Sequence, residues 1–158
     1  MKKINNPFAG KEGYNCIGCS PNHPFGLKLV FFLDEDKQQI ESEWTPNNNF
    51  EGYQNVLHGG IQATMLDEIA SWAVYAILKT GGVTAKMQIR YHKPVLLTDG
   101  PIRLTAKIDW FEKGLANIKT QVINKKGVIC TEGTIQYFVF PEDIARQKYN
   151  YPGIEKFL

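Results

Sequence analysis

No run of about 18 apolar residues occurs anywhere in the chain, so no helical membrane span is expected. Basic residues never run together for long. Lys125-Lys126 is cut by Gly127 and reads as a turn, and the net charge is only +2, which argues against nucleic acid as a partner. Cysteine is scarce and odd in number, three in all, which fits a reducing cytoplasm better than a disulfide scaffold. The opening Met1-Lys2-Lys3-Ile4 leads into Asn and Pro, not into an apolar segment, so a secretion signal is not expected. There is no internal repeat, low-complexity tract or linker-like run, so residues 1–158 are expected to form one domain. What is present is ordinary for a globular chain: 43% hydrophobic and 22% charged residues.

Residues 1–26 are rich in Asn, Gly and Pro and should be mostly irregular. Leu27 to Leu33 reads as a first strand, Asp34-Glu35-Asp36 as a turn, and Gln39 to Trp44 as a second strand. From about Gly60 to Lys79, apolar residues recur at helical spacing, through Leu66, Ile69, Ala70, Ala73, Ala76 and Ile77. Gly81-Gly82 is expected to end this helix, with Lys79 in its last turn. Strands follow at Val83 to Tyr91, Ile102 to Phe111, Leu115 to Asn124 and Val128 to Phe140, the last three forming a meander. The tail, residues 141–158, is expected to carry a short helix. The order ββ-α-ββββ predicts an α+β fold, six antiparallel strands wrapped around one dominant helix. Sheet edges left open would favour a homodimer or homotetramer.

The chemistry concentrates at Asn55 to Glu68. Gly59 and Gly60 open the helix, where bare N–H groups and the positive end of the dipole can polarise a carbonyl. Gly60, Thr64, Asp67 and Ser71 follow at 4-3-4 spacing, so they share one small, polar stripe. Asp67 on that stripe could act as a base or a nucleophile.

His58-Gly59-Gly60, six residues, then Asp67 resembles the signature of hotdog-fold acyl-CoA thioesterases of the phenylacetate-pathway type. The segment Asn15-Cys16-Ile17-Gly18-Cys19-Ser20-Pro21-Asn22-His23-Pro24-Phe25-Gly26-Leu27 is similar to the opening of one branch of that superfamily. Gly82 to Pro94 is similar to its strand after the central helix. The resemblance implies a hotdog fold and hydrolysis of an acyl-CoA thioester without metal or cofactor. It implies that the Gly59 N–H polarises the thioester carbonyl, that Gly60 supports the turn and that Asp67 activates water or attacks. It further implies that His58 orients substrate, that Thr84 positions water and that the site lies across a dimer interface; Ser71, one turn beyond Asp67, could do similar work to Thr84. The chain departs from the pattern at Glu51, near Gln54 and Asn55, where relatives often carry Gln or Asn. A carboxylate there would repel Asp67 if the two approached.

Cys16-x-x-Cys19 with His23 offers metal-ligand types, but no second ligand pair stands near it in sequence. A redox pair is compatible with the spacing, and the simpler reading is two small buried thiols flanking Gly18 in a lid loop. A non-catalytic acyl-CoA or lipid-binding protein on the same fold is the competing reading. A dehydratase of that fold would need a histidine within the helix, which has none after its opening.

Overall fold

The computed structural model describes residues 1–158. Seven antiparallel strands form one sheet: β1 (Lys2–Lys3), β2 (Phe32–Asp34), β3 (Gln39–Trp44), β4 (Gly82–Tyr91), β5 (Ile102–Glu112), β6 (Leu115–Ile123) and β7 (Ile129–Val139). Their spatial order is β1-β2-β3-β5-β6-β7-β4. The long helix α1 (Gly59–Ala76) lies against this sheet and touches β3 through β7. A short helix α2 (Glu142–Tyr149) follows in the tail. The predicted helix-on-sheet arrangement and the β5-β6-β7 meander are both present.

The differences from expectation have local causes. The strand count is seven because the two-residue β1 pairs with β2 at the edge, inside the segment expected to be irregular. β2 is shorter than the apolar run Leu27 to Leu33, since Lys28 takes a left-handed φ of 54° and bends the chain out of extension. The helix stops at Ala76, before Lys79, which itself turns the chain with φ 58°. Gly82 therefore does not cap the helix. It begins β4, where a Cβ would lie 2.6 Å from the Phe138 carbonyl oxygen.

α1 is buried through most of its circumference, with Met65, Leu66, Ile69, Ala70 and Ala73 fully sequestered. Each fully buried Leu, Ile or Met contributes about 1.5–3 kcal/mol relative to exposure. The sheet covers one side. On the other, the two ends of the chain close over the helix: Phe31 stacks on Trp72 at 4.6 Å between ring centroids, and Phe157 stacks on Tyr75 at 5.3 Å. The one fully polar buried side chain of the helix, Gln62, donates to the Leu57 carbonyl and accepts from Thr131. Thus α1 carries two differently covered faces, and successive residues point to one or the other.

Strand β4 is the long edge of the sheet, hydrogen-bonded only to β7, with the two-residue β1 at the other edge. Its ladder slips once, between Thr84 and Lys86, where Ala85 is the extra residue of a β-bulge.

Candidate active site

Asp67 faces the sheet. Thr84 of β4 and Tyr137 of β7 are direct cross-strand partners, and both reach the same carboxylate oxygen. Thr84 Oγ1 donates to Asp67 Oδ1 at 2.7 Å, and Tyr137 Oη donates to it at 2.9 Å. Tyr137 also lies 3.0 Å from the Asp67 carbonyl oxygen. Burial, reinforced by the Asp67 charge, holds the Tyr137 phenol well above its usual range, so it remains a donor. Two donors on Oδ1 fix the carboxylate plane and leave Oδ2 without a partner in the chain. Asp67 is half-buried and Thr84 is exposed, so the free oxygen is within reach of solvent.

The helix start forms a second group. His58 is the N-cap, and its Nδ1 accepts from the Gly60 N–H at 2.9 Å. A neutral ring accepting at Nδ1 carries its proton on Nε2, a free donor. Ile61 and Gln62 both donate to the His58 carbonyl, whereas no acceptor in the chain takes the Gly59 N–H. The Tyr91 hydroxyl donates to the Gly59 carbonyl at 2.6 Å and so fixes that peptide. Beside these atoms lies a depression of about 480 Å³ lined by Glu51, Tyr53, Val56, Leu57, His58 and Gly59. Glu51 accepts from the Asn55 N–H, and the Asn55 amide donates to Thr98 at 3.1 Å. Asn55 holds a left-handed φ of 63°, so this pair shapes the loop leading to the helix. Glu51 sits with His58 and not beside Asp67.

Ser71 does not join Asp67. Its hydroxyl donates to the Glu68 carbonyl at 2.8 Å, and the residue lines a different cavity of about 310 Å³ with Cys16, Cys19, Glu68 and Trp72. The predicted stripe therefore divides. Ser71 is four residues after Asp67 but three after Glu68, and the packing of the N-terminal loop decides which it accompanies. In that cavity, burial and then the neighbouring Cys16 thiol push the Glu68 carboxyl up to about 7.

Tyr137, Tyr91 and Glu68 are the residues that sequence reasoning passed over. Each tyrosine sits in an ordinary strand alternation, which gives its face but not its partner.

Residues 54–131 match the model of the thioesterase superfamily. An uncharacterized protein of Schizosaccharomyces pombe is 26% identical over 92 residues, 57% of this chain and 53% of the relative. The chain thus spans about half the length of that curated relative. Among solved structures, a thioesterase superfamily protein superposes with a TM-score of 0.72 at 23% identity, over 79% of this chain and 60% of the other. A thioesterase protein of Streptococcus pneumoniae TIGR4, solved with coenzyme A, gives 0.64 at 20% identity, over 71% of this chain and 90% of its own. A phenylacetic acid degradation-related protein of Ralstonia eutropha JMP134 gives 0.66 at 18% identity, over 78% and 92%. At these identities the structural likenesses speak for the fold.

Proposed function

Because this chain belongs to the thioesterase superfamily, we propose that it hydrolyses an acyl-CoA thioester to the free acid and CoA. The observation that carries the reading is the Asp67 carboxylate, clamped through Oδ1 by Thr84 and Tyr137 with Oδ2 left free. In this reading Oδ2 takes a proton from water as the oxygen adds to the thioester carbon. The resulting oxyanion accepts the unclaimed Gly59 N–H at the positive end of α1, with the His58 Nε2–H nearby. Collapse expels the CoA thiolate, which takes up the proton. The depression lined by Tyr53, Val56 and Leu57 receives the part of the substrate next to the carbonyl.

Gly59 and Asp67 are eight residues apart on one helix, about 12 Å along its axis at about 1.5 Å per residue. One carbonyl group cannot span that gap. We propose that the helix start of one copy meets Asp67 of a second copy, in a homodimer joined along the free edge of β4. That edge is ten residues long and exposes Val83, Met87 and Tyr91. The coenzyme A in the Streptococcus pneumoniae structure supports the substrate class, and that protein has also been solved with an aspartate or a threonine exchanged for alanine. No helix of this chain is long and apolar enough to cross a membrane.

The test is thiol release from a panel of straight-chain and aryl acyl-CoAs by wild type and Asp67→Ala, with the assembly's mass measured by light scattering. Turnover lost in the variant is the expected result. Wild type inactive on every member overturns the enzyme reading. Equal acyl-CoA binding by both proteins, without turnover, identifies a binding module instead.

A further inference from the structure

A neighbouring face of α1, turned about 100° from Asp67, carries a second cluster, independent of thioester hydrolysis. Cys16, Cys19 and Glu68 each place a ligand atom so that all three lie within 4.8 Å of one another. The Cys16 sulfur lies 3.5 Å from both carboxylate oxygens of Glu68. Zinc bonds of about 2.3 Å to sulfur and about 2.0–2.2 Å to oxygen, set at a tetrahedral angle, span an S···O edge of about 3.5 Å. We propose that Cys16, Cys19 and Glu68 bind a zinc ion, which clips the N-terminal loop to α1.

The electrostatics ask for a cation. None of the chain's five ion pairs includes Glu68. Besides the thiol of Cys16, the carboxylate has one donor, Trp72 Nε1, at 3.1 Å. A half-buried carboxylate beside two ionisable thiols is costly unless a positive charge joins them. A divalent ion supplies that charge. A disulfide between the two cysteines would not, because it leaves Glu68 unpaired. Two sulfur ligands favour zinc over magnesium or calcium.

The loop is already built for the task. Leu27 and Leu29 donate to the carbonyls of Ile17 and Gly18, and the Asn6 amide donates to the Cys19 carbonyl at 3.0 Å. The turn is therefore pinned from both sides. At Gly18 any Cβ would fall 2.6 Å from the Glu68 side chain, so the backbone must press this closely against the carboxylate. Tyr14 Oη lies 2.8 Å from the Cys19 sulfur and Trp72 Nε1 donates to Glu68 Oε1, so two of the ligands are oriented by neighbours. The fourth corner opens on the cavity of about 310 Å³, where water completes the set. Binding displaces the two thiol protons to solvent and uses no oxidant.

The experiment uses the full chain, purified without chelator under reducing conditions. Metal analysis should find about one zinc per chain, and Co²⁺ exchanged into stripped protein should give thiolate-to-cobalt charge-transfer absorption. Adding zinc alone to stripped protein should raise the unfolding midpoint and protect both thiols from a thiol reagent. The Glu68→Gln and paired Cys16→Ser, Cys19→Ser variants should lose the cobalt band. If a variant fails to fold, the stripped wild type still decides. No stoichiometric zinc, with thiol labelling unchanged by added zinc, overturns the proposal. So does recovery of a Cys16–Cys19 disulfide that binds no metal after reduction.

Discussion

Asp67 and Glu68 are consecutive, half-buried residues of one helix, and their carboxylates meet different partners. Asp67 meets two hydroxyl donors from neighbouring strands, one of them on an exposed edge, and keeps an oxygen open to solvent. Glu68 meets two thiols and an indole under the folded-over N-terminal loop. Side chains one residue apart on a helix diverge by about 100°, since each turn holds about 3.6 residues. That angle is enough to place the same functional group in two chemistries. Hydroxyl donors on one oxygen suit a carboxylate that must take and release a proton. A thiol at 3.5 Å and a second within 4.8 Å suit one that shares a soft cation.

The sharpest test of this contrast exchanges the two carboxylates separately. Asp67→Asn should lower kcat/KM by about 10²–10⁴-fold, the usual scale for losing a general base, while keeping its zinc. Glu68→Gln should do the reverse to metal content; zinc retained by it, or lost by Asp67→Asn, breaks the comparison. Next in size is metal removal. An ion at a hundredfold excess over its dissociation constant stabilises the fold by about 2.7 kcal/mol. Chelation should therefore lower the unfolding midpoint by about 5–11 °C in calorimetry, and added zinc should restore it. Thr84→Val removes one hydrogen bond to a charged group, about 1.5–3 kcal/mol. It should cut kcat by about 10- to 100-fold with little change in unfolding midpoint, because residue 84 is exposed. Tyr91→Phe should have the smallest effect. It frees the Gly59 carbonyl of a neutral donor, a loss of about 0.5–1.5 kcal/mol, seen as a fall of a few-fold to about tenfold in kcat/KM.

The helix and the strands of the meander were legible because their signals are local. Periodicity marks α1, and Lys113-Gly114 and Lys125-Lys126-Gly127 mark the turns of β5-β6-β7. Gly59 and Gly60 were legible for the same reason, as a helix start, whereas His58 was reached through resemblance and its place as the cap came from the structure. Asp67 with Thr84 was reached through resemblance, and the structure does bring the two together. Glu68 with Cys16 and Cys19 was not legible. The missing ligand stands about fifty residues from the cysteines, and only the return of the N-terminal loop across α1 brings them together. Ser71 went to the wrong partner for a related reason: spacing names the stripe, while tertiary packing chooses between two neighbours on it.

The slip in β4 at Ala85 has a consequence for how this sheet tolerates change in length. Thr84 and Tyr137 reach Asp67 together only because they are paired across the ladder. Side chains alternate with a period of two, so a shift of one residue would turn Thr84 to the far face. Ala85 absorbs the odd residue between the paired stretches on either side. Deleting it would leave Thr84 opposite Tyr137 and Lys86 opposite Gln136 in an unbroken ladder, so β4 can lose this one residue and keep the pair that holds Asp67. The exposed Lys125–Gly127 turn likewise lies outside the paired stretches and can be lengthened without disturbing the carboxylate.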